Sequence, residues 1–317
     1  MDLTDRHARF FLRLLSRHAR LYTEMITTNA LIYGDRQRLL RFDPAEHPVA
    51  LQLGGSEPDA LAHCAEFGAA AGYDEINLNC GCPSDRVQEA NFGACLMGDP
   101  RRVASGVAAM RAAVALPVTV KCRIGVDDSE EYPFLKRFVE TVAAAGCQTF
   151  VIHARKAWLE GLSPKENREV PPLQYPTVYR IKRDFPQLRI VINGGIRSLV
   201  EVQEHLRHVD GVMLGREAYE NPWLLAGIDH SLFHAGEPEG SRAQALRRLL
   251  PYCERELAAG TPLAHMTRHI LGLYRNQPGG RAFRRVLSQQ AHLSGSGVAV
   301  IEAALAEIES HPLKAVA

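Results

Sequence analysis

The sequence predicts a TIM-type (β/α)8 barrel followed by a small all-helical domain. Short β-branched runs recur up to Leu214, and each precedes a longer segment with helical periodicity. Strand patterns then stop, and the segment beyond residue 240 has helical patterns only. Alternating strands and helices favour a parallel sheet, and such a barrel often occupies about 250 residues as one unit. An open doubly wound sheet is the alternative that the same alternation allows.

Seven runs are predicted as strands: LYTEMIT at 21–27, VALQL at 49–53, EINLN at 75–79, PVTVKC at 117–122, TFVIH at 149–153, RIVIN at 189–193 and DGVML at 210–214. A closed eightfold barrel needs one more strand. Met1 leads directly into a helical pattern, for which Asp2 and Thr4 are candidate caps. We therefore expect the natural chain to begin earlier, with its first strand absent from this sequence.

Helical periodicity fills the intervals between the strands, for example at 58–73 and 132–146. One more helix is predicted near Glu220 to Phe233, and the loop HAGEPEGSR that follows has linker composition. Further helices are predicted at 241–260, 265–276, 280–293 and 298–310. The predicted domains are a barrel over residues 1–235 and a helical domain over residues 240–317.

The composition is typical of a globular intracellular protein. Hydrophobic residues make up 46% of the chain and charged residues 23%. The sequence has neither a run of about 18 apolar residues nor the apolar region of a secretory signal after Met1. Seven cysteines, an odd number, indicate reduced thiols rather than a disulfide framework. We expect a cytoplasmic monomer without membrane association or a protein partner.

Basic residues are concentrated near the C-terminus. From Ser241 to Ala317 the chain has 10 Lys and Arg against 5 acidic residues, whereas the preceding part has a net charge of −4. This asymmetry favours a polyanionic partner. An ordinary solvated helical face is the alternative.

Polar and charged residues recur at the C-terminal ends of the predicted strands, where the working residues of such barrels lie. They are Gln52; Asn77 and Asn79; Lys121 and Arg123; His153 and Arg155; Asn193, Gly194 and Gly195; and Gly215 and Arg216. Any single one is also explained as a polar residue at a barrel rim. The last two ends combine glycines, whose backbone can approach an anion closely, with an arginine fork, and so predict a phosphate site.

The blocks LQLGG, EINLNCGCPS, GACLMG, PVTVKCRIG, IHARKAWLEGLSPKENREVPPL, INGGI and GVMLGREAYENPW resemble, in that order, the tRNA-dihydrouridine synthases, specifically their A subfamily. The resemblance spans nearly the whole chain. It implies a barrel that binds FMN, a helical tRNA-binding domain, and reduction of uridines at positions 20 and 20a of the tRNA D loop. NADPH is the hydride donor that the resemblance implies.

The resemblance also implies roles for individual residues. The implied FMN contacts are Met1, from a short turn after the first strand, Gln52 and Lys121 at the isoalloxazine, and His153, Asn193, Gly194, Gly195, Gly215 and Arg216 at the phosphate. The implied tRNA contacts are Asn79, which with Cys82 faces the target uracil, and Arg123, Arg155, Lys165, Arg168, Arg281 and Arg284. Cys80 departs from the family pattern, which usually has an apolar residue there.

Three cysteines, Cys80, Cys82 and Cys95, lie close together in the sequence, which raises the question of a metal, a disulfide or a reactive thiol. A zinc site needs about four ligands, and no second CxxC or HxxxH is present. Reduction of the uracil C5–C6 bond by hydride from flavin N5 to C6 requires a proton at C5, and a thiol with an ordinary pKa of about 8.5 can supply it. Together with the match to the family's GCP motif, this predicts Cys82 as the general acid. We expect Cys95 to be a buried small residue and Cys80 to point into the packed layer.

Two other functions remain open at this point. One is a small-molecule flavin reductase of the dihydroorotate or dihydropyrimidine kind, although a free pyrimidine does not require a basic domain. The other is a non-catalytic tRNA-binding protein, against which the retained Lys121, Gly-Gly and Gly-Arg set argues.

Overall fold

In the computed structural model, residues 3–236 and 240–310 are described, and they form seven β-strands and fifteen α-helices. Met1, which was assigned to the cofactor site, lies outside the described residues. None of the described helices combines the length and the apolar character that crossing a membrane requires.

All seven predicted strands are confirmed, each to within one residue at either end. They are β1 (Leu21–Thr27), β2 (Val49–Gly54), β3 (Glu75–Cys80), β4 (Val118–Arg123), β5 (Thr149–His153), β6 (Arg189–Asn193) and β7 (Gly211–Met213). Every neighbouring pair is parallel, and the strands follow one another in chain order. A doubly wound sheet reverses its strand order part-way, so this order excludes that alternative. The seven strands curl into a half-barrel with helices around it, consistent with a TIM-type barrel.

The central strands β2 and β3 are buried on both of their faces. Every residue of β2 and of β3 is buried, as expected for parallel strands that are covered on both faces. Leu51, Leu53, Ile76 and Leu78 are fully buried. In β3 the alternate positions are all polar, so the face of that strand opposite Ile76 and Leu78 is a buried polar face.

The helices are α1 (Arg6–Leu15), α2 (Thr28–Tyr33), α3 (Arg36–Leu40), α4 (Pro58–Ala70), α5 (Asp85–Glu89), α6 (Pro100–Ala113), α7 (Glu131–Ala144), α8 (Tyr175–Asp184), α9 (Leu199–Leu206), α10 (Arg216–Glu220), α11 (Ile228–Phe233), α12 (Arg242–Ala258), α13 (Leu263–Thr267), α14 (Gly280–Gln290) and α15 (Ala299–Glu309). Those predicted at 58–73, 132–146, 241–260, 280–293 and 298–310 are confirmed.

Three helix predictions are wrong in detail. The helix expected near 220–233 is interrupted by a 3₁₀ turn, Pro222–Gly227. The helix expected at 265–276 ends at Thr267. Five residues further on, the backbone of Gly272 lies so close to Glu220 that an added Cβ would be 2.5 Å from the Glu220 carbonyl oxygen. The cap of α1 is Asp5, whose carboxylate accepts from the backbone N–H groups two and three residues later, rather than Asp2 or Thr4.

The described chain forms two compact units whose boundaries differ from those expected at residues 235 and 240. The first unit is Arg20–Phe42 and His47–Gly215, and the second comprises the described parts of 3–19, 43–46 and 216–310. Within the second unit, Phe10 of α1 stacks on Tyr252 of α12, with ring centroids 3.9 Å apart. Arg9 of α1 forms a buried ion pair with Glu46. Periodicity identifies α1 as a helix but cannot show these packing partners.

Candidate active site

The strand-end residues predicted from the sequence lie at one end of the sheet because the parallel strands pair in register. Residues that pair between neighbouring strands stand at one level of the sheet. The pairs are Gln52 with Asn77, Asn79 with Lys121, Arg123 with His153, and His153 with Asn193. The structure therefore brings together the predicted residues of β2 to β6.

Cys82 lies on a turn just after β3, and the side chain of Asn79 holds that turn. Asn79 Oδ1 accepts hydrogen bonds from the backbone N–H groups of Gly81 and Cys82, both at 3.0 Å. The Cys82 carbonyl accepts from the Ala94 N–H at 2.9 Å. Cys82 is half-buried, and its Sγ lies 3.6 Å from Ser84 Oγ. A partly exposed thiol on a fixed backbone suits a group that must meet a substrate in one orientation.

The two neighbouring cysteines are placed differently. Cys80 is fully buried, and burial raises the pKa of its thiol well above the ordinary value. Cys95 is half-buried, more exposed than expected, and its thiol donates to the Phe92 carbonyl at 3.0 Å. Burial also raises the pKa of Cys95. Among the residues that the structure describes, no group of three or more His, Cys, Asp or Glu is placed to hold a metal ion.

Lys121, Arg123 and His153 form a cluster of basic groups. Burial lowers the pKa of Lys121 to about 8, and the charge of Arg123 contributes to that shift. Burial also lowers the pKa of His153 well below its ordinary value, with Arg123 and Lys121 contributing, so its ring is neutral near pH 7. Within residues 3–236 and 240–310, neither Lys121 nor Arg123 forms an ion pair with a carboxylate. Positive charges without a counterion favour an anionic ligand.

Arg123 is buried, with 4% of its surface exposed, and its guanidinium holds loop backbone. Its Nε donates to the Gly81 carbonyl at 3.0 Å, in the Cys82 turn. One terminal nitrogen donates to the carbonyls of Lys156 and Asn167, at 2.7 and 2.9 Å. Arg123 therefore joins the loop after β3 to the loop after β5, a role that the sequence did not predict.

The residues predicted to bind a phosphate lie at or just after the ends of β5, β6 and β7. Nδ1 of His153 is buried and has no hydrogen-bond partner within the described residues. Gly194 has φ +118°, and a Cβ there would lie 3.2 Å from His153 Nε2. Asn193 Nδ2 donates to the Met213 carbonyl at 2.8 Å, which ties β6 to β7 beside Gly215. A ring that has one unpartnered nitrogen and lies against a glycine with positive φ fits an anionic group such as the phosphate of FMN.

Arg216 directly follows Gly215 in the chain and begins α10, so it belongs to the second unit. Among the residues predicted to bind the phosphate, Arg216 is therefore the one that belongs to the second unit, whose last segment begins with it.

Lys165 and Arg168 are exposed on the long loop after β5, and the loop itself is ordered by Asn167. Asn167 is fully buried. Its Oδ1 accepts from the Trp158 N–H at 2.7 Å, and its Nδ2 donates to the carbonyls of Trp158 and Leu162. The loop therefore presents two cations from a fixed backbone. Arg155 of the same loop donates to the carbonyls of Glu169 and Pro171.

In the second unit, the predicted tRNA contacts Arg281 and Arg284 lie on one face of α14 with Arg285, because residues three and four apart are neighbours on a helix. Arg281 and Arg285 are exposed and line a surface cleft of about 390 Å³, while Arg284 is half-buried. None of the three forms an ion pair with a carboxylate in the part of the chain that the structure describes.

The sequence analysis missed several polar residues that organise the site. Tyr175 donates its hydroxyl hydrogen to the Gly194 carbonyl at 2.8 Å. Gln88 donates to the carbonyls of Pro83 and Leu159, at 3.0 and 2.7 Å, and so joins the Cys82 loop to the loop after β5. No sequence pattern marks these residues, since each acts on backbone that is distant in the chain.

Comparison with known proteins gives consistent results. The family model described as dihydrouridine synthase (Dus) matches residues 1–309. A tRNA-dihydrouridine(20/20a) synthase of Vibrio cholerae is 60% identical over 309 residues, covering 97% of this chain and 94% of the relative. Proteins of the same name from Salmonella typhimurium and Escherichia coli K12 are 60% and 58% identical over 306 residues, covering 96% of this chain and 92% and 88% of the relatives.

Proposed function

Because the chain belongs to the dihydrouridine synthase family, we propose that it reduces uridine to 5,6-dihydrouridine in the D loop of tRNA, at positions 20 and 20a. The names of the relatives support the substrate and the positions. The structural observation that carries the proposal is the half-buried thiol of Cys82, held on its turn by Asn79 at the strand ends that bear Lys121 and His153. Since the substrate is tRNA, we place the reaction in the cytoplasm.

We propose FMN as the cofactor and NADPH as its reductant. Bound FMN would supply the hydride that adds to C6 of the uracil. Gln52 and Lys121 would contact the isoalloxazine, and Lys121, with a pKa of about 8, carries a positive charge near neutral pH that stabilises an anion beside it. The residues assigned to the phosphate are His153, Asn193, Gly194, Gly195, Gly215 and Arg216.

Cys82 is the proposed proton donor. Addition of hydride to C6 leaves an electron pair on C5, and a proton delivered from Cys82 Sγ to C5 completes the reduction. Asn79 uses Oδ1 and one N–H within the protein, so its second N–H can hydrogen-bond the uracil. Cys80 is inaccessible, and the Cys95 thiol is engaged at a carbonyl.

The proposed tRNA contacts lie in both units: Arg155, Lys165 and Arg168 in the first, and Arg281, Arg284 and Arg285 in the second. We expect them to bind phosphates and to recognise shape, because the target base must leave its stack before it can be reduced. Arg123 contributes by holding the loop that carries Lys165 and Arg168.

The experiment is a single-turnover reduction of unmodified tRNA by pre-reduced enzyme. Purified protein should be yellow and should release FMN on denaturation. Cys82→Ala should slow flavin reoxidation by tRNA by about 100-fold or more, the order contributed by a general acid, while FMN and tRNA binding remain. Cys95→Ala and Cys80→Ala are the matched controls and should act mainly on stability. Normal turnover by Cys82→Ala, with a defect in Cys95→Ala, would show that the acid is the other thiol.

The two alternative functions predict different results in the same assay. A small-molecule reductase would reoxidise its flavin with free uracil or dihydroorotate as efficiently as with tRNA. A non-catalytic tRNA-binding protein would retain tRNA but release no flavin on denaturation.

A further inference from the structure

A chain of side-chain hydrogen bonds runs from the Cys82 turn through the interior of the sheet to Glu75. At the turn, Asn79 Oδ1 accepts hydrogen bonds from two backbone N–H groups. Each further link joins a donor on one residue to an acceptor on the next. The links are Asn79 Nδ2 to Gln52 Oε1, Gln52 Nε2 to Asn77 Oδ1 and Asn77 Nδ2 to Thr119 Oγ1, each 2.8 Å, and Thr119 Oγ1 to Glu75 Oε1, 2.7 Å.

The chain occupies the part of the molecule where an apolar core is normally found. Glu75, Asn77 and Asn79 alternate along β3 and therefore share one face, and Gln52 and Thr119 pair with Asn77 in register. None of the five is more than 9% exposed. Branched apolar residues usually fill the interior of such barrels, and a buried polar group is costly unless it is paired. A column in which each of these side chains is hydrogen-bonded to the next is therefore a specific feature of this site.

The direction of the chain is fixed at both ends by the chemistry of the terminal groups. The Glu75 carboxylate is only an acceptor, so Thr119 must donate to it and must accept from Asn77. At the other end, the backbone N–H groups of Gly81 and Cys82 are only donors, so Asn79 must present its oxygen to them. Both constraints require the same orientation of every amide between them. Rotating any one amide by about 180° would therefore bring two donors together at one of its hydrogen bonds and two acceptors together at the other.

The Glu75 end of the chain is anchored by two further groups. Arg20 forms an ion pair with the second carboxylate oxygen, and the Tyr22 hydroxyl donates to the first at 2.9 Å. Burial raises the pKa of Tyr22, and the charge of Glu75 raises it further, so Tyr22 remains a donor. Glu75 is thus held as a fixed acceptor at the beginning of β3.

We propose that Glu75, Thr119 and Asn77 are positioning residues that hold the amides of Gln52 and Asn79 in one orientation and, through Asn79, hold the turn that carries Cys82. In this orientation Gln52 and Asn79 each keep one N–H that finds no acceptor among residues 3–236 and 240–310. The proposal assigns those two donors to the flavin and the uracil, and in that respect it rests on the proposed function. The hold on the Cys82 turn does not depend on either ligand.

The test compares Thr119→Val with Thr119→Ser. Valine keeps the shape of threonine but removes the hydroxyl, which separates Asn77 from Glu75, whereas serine keeps the link. Val120→Ala is the matched control, because Val120 is the next residue of β4, is fully buried and lies on the opposite face.

The first measurement is hydrogen exchange in protein without added flavin. Thr119→Val should speed exchange of the Gly81 and Cys82 amides about tenfold relative to the amides of β6, and Thr119→Ser should restore it to within about twofold. The second measurement is the FMN dissociation constant, which should rise about tenfold in Thr119→Val alone. The proposal would be overturned if Val120→Ala had the same effects on exchange and FMN binding while its thermal midpoint matched that of Thr119→Val. It would also be overturned if Thr119→Val changed neither quantity.

A second variant keeps the test decisive if Thr119→Val does not fold. Asn77→Leu preserves the side-chain shape, introduces a residue typical of barrel interiors and breaks the chain one link higher. It should speed exchange of the same two amides, and unchanged exchange would overturn the proposal. Absence of FMN binding by the wild-type protein would refute the proposed cofactor, whereas the exchange result would still decide whether the chain holds the turn.

Discussion

Replacement of Asn167 by alanine should loosen the loop that presents Lys165 and Arg168. Asn167 is fully buried and makes three strong side-chain hydrogen bonds, at 2.7, 2.9 and 3.1 Å, to the backbone of Trp158 and Leu162. Alanine removes all three and leaves one N–H and two carbonyls without their partner. Asn167→Asp keeps only the bond that Oδ1 accepts and so separates the acceptor role from the donor role.

The magnitude follows from the number of groups left unpaired. A buried polar group that loses its partner costs about 1–3 kcal/mol, and less where water can replace the partner. Trp158 and Leu162 are half-buried, so water reaches part of this loop. We therefore expect a loss of about 2–4 kcal/mol in the stability of the loop. Because tRNA must then order the loop as it binds, we expect its dissociation constant to rise about tenfold or more.

The assay is hydrogen exchange across residues 155–170 together with tRNA binding at fixed salt. Val170→Ala is the matched control, since Val170 lies in the same loop, is uncharged and is 62% exposed. Asn167→Ala should raise exchange in this segment and weaken tRNA binding, whereas Val170→Ala should change neither by more than about twofold. Protection of the loop and tRNA affinity equal to the wild type in Asn167→Ala would refute the argument that Asn167 orders the loop.

Three further predictions concern the turn, the second unit and the tRNA surface. Gly93→Ala should slow single turnover at least about tenfold, because Gly93 has φ +76° and an added Cβ would lie 2.6 Å from the Cys82 carbonyl oxygen; a wild-type rate would show that the turn adjusts freely. Burial lowers the pKa of His7 to about 4, so the unfolded chain binds the extra proton, and up to about 3 kcal/mol of stability is lost as the pH falls from about 6.5 to 4. His7→Gln should flatten this dependence of stability on pH. Urea midpoints that fall equally with pH in the wild type and in His7→Gln would contradict it. Arg281→Ala with Arg284→Ala should weaken tRNA binding and reduce its salt slope by about one per lost phosphate contact; an unchanged slope would mean that these arginines are solvated surface.

The strands were predictable because their signal is local. A β-branched run bounded by turn residues identifies a strand without knowledge of its neighbours, and all seven runs occur where they were expected. Chain-order pairing of these strands then brings Gln52, Asn79, Lys121 and His153 to one end of the sheet. The location of the candidate site was therefore predictable from the pattern of strand ends alone.

The hydrogen-bond partners were not predictable, because they depend on register and packing. The alternation of Glu75, Asn77 and Asn79 in EINLN was a visible sign of a polar interior face, but their partners Gln52 and Thr119 come from other strands. The grouping of α1 with the C-terminal helices is another example. Contacts such as that of Phe10 with Tyr252 join segments more than 200 residues apart, and periodicity contains no information on them.

Arg123 shows why a residue type at a strand end does not define its role. A guanidinium at that position can donate to a phosphate, to a base or to backbone carbonyls, since all of these are hydrogen-bond acceptors. What decides between them is burial: with 4% of its surface exposed and three loop carbonyls within 3.0 Å, Arg123 has most of its donors committed to the protein. Because one of those carbonyls belongs to Gly81 and another to Asn167, the Cys82 turn and the loop that bears Lys165 and Arg168 share one support. A change in Arg123 should therefore disturb the thiol and the tRNA loop together, whereas a direct phosphate ligand would affect tRNA binding alone.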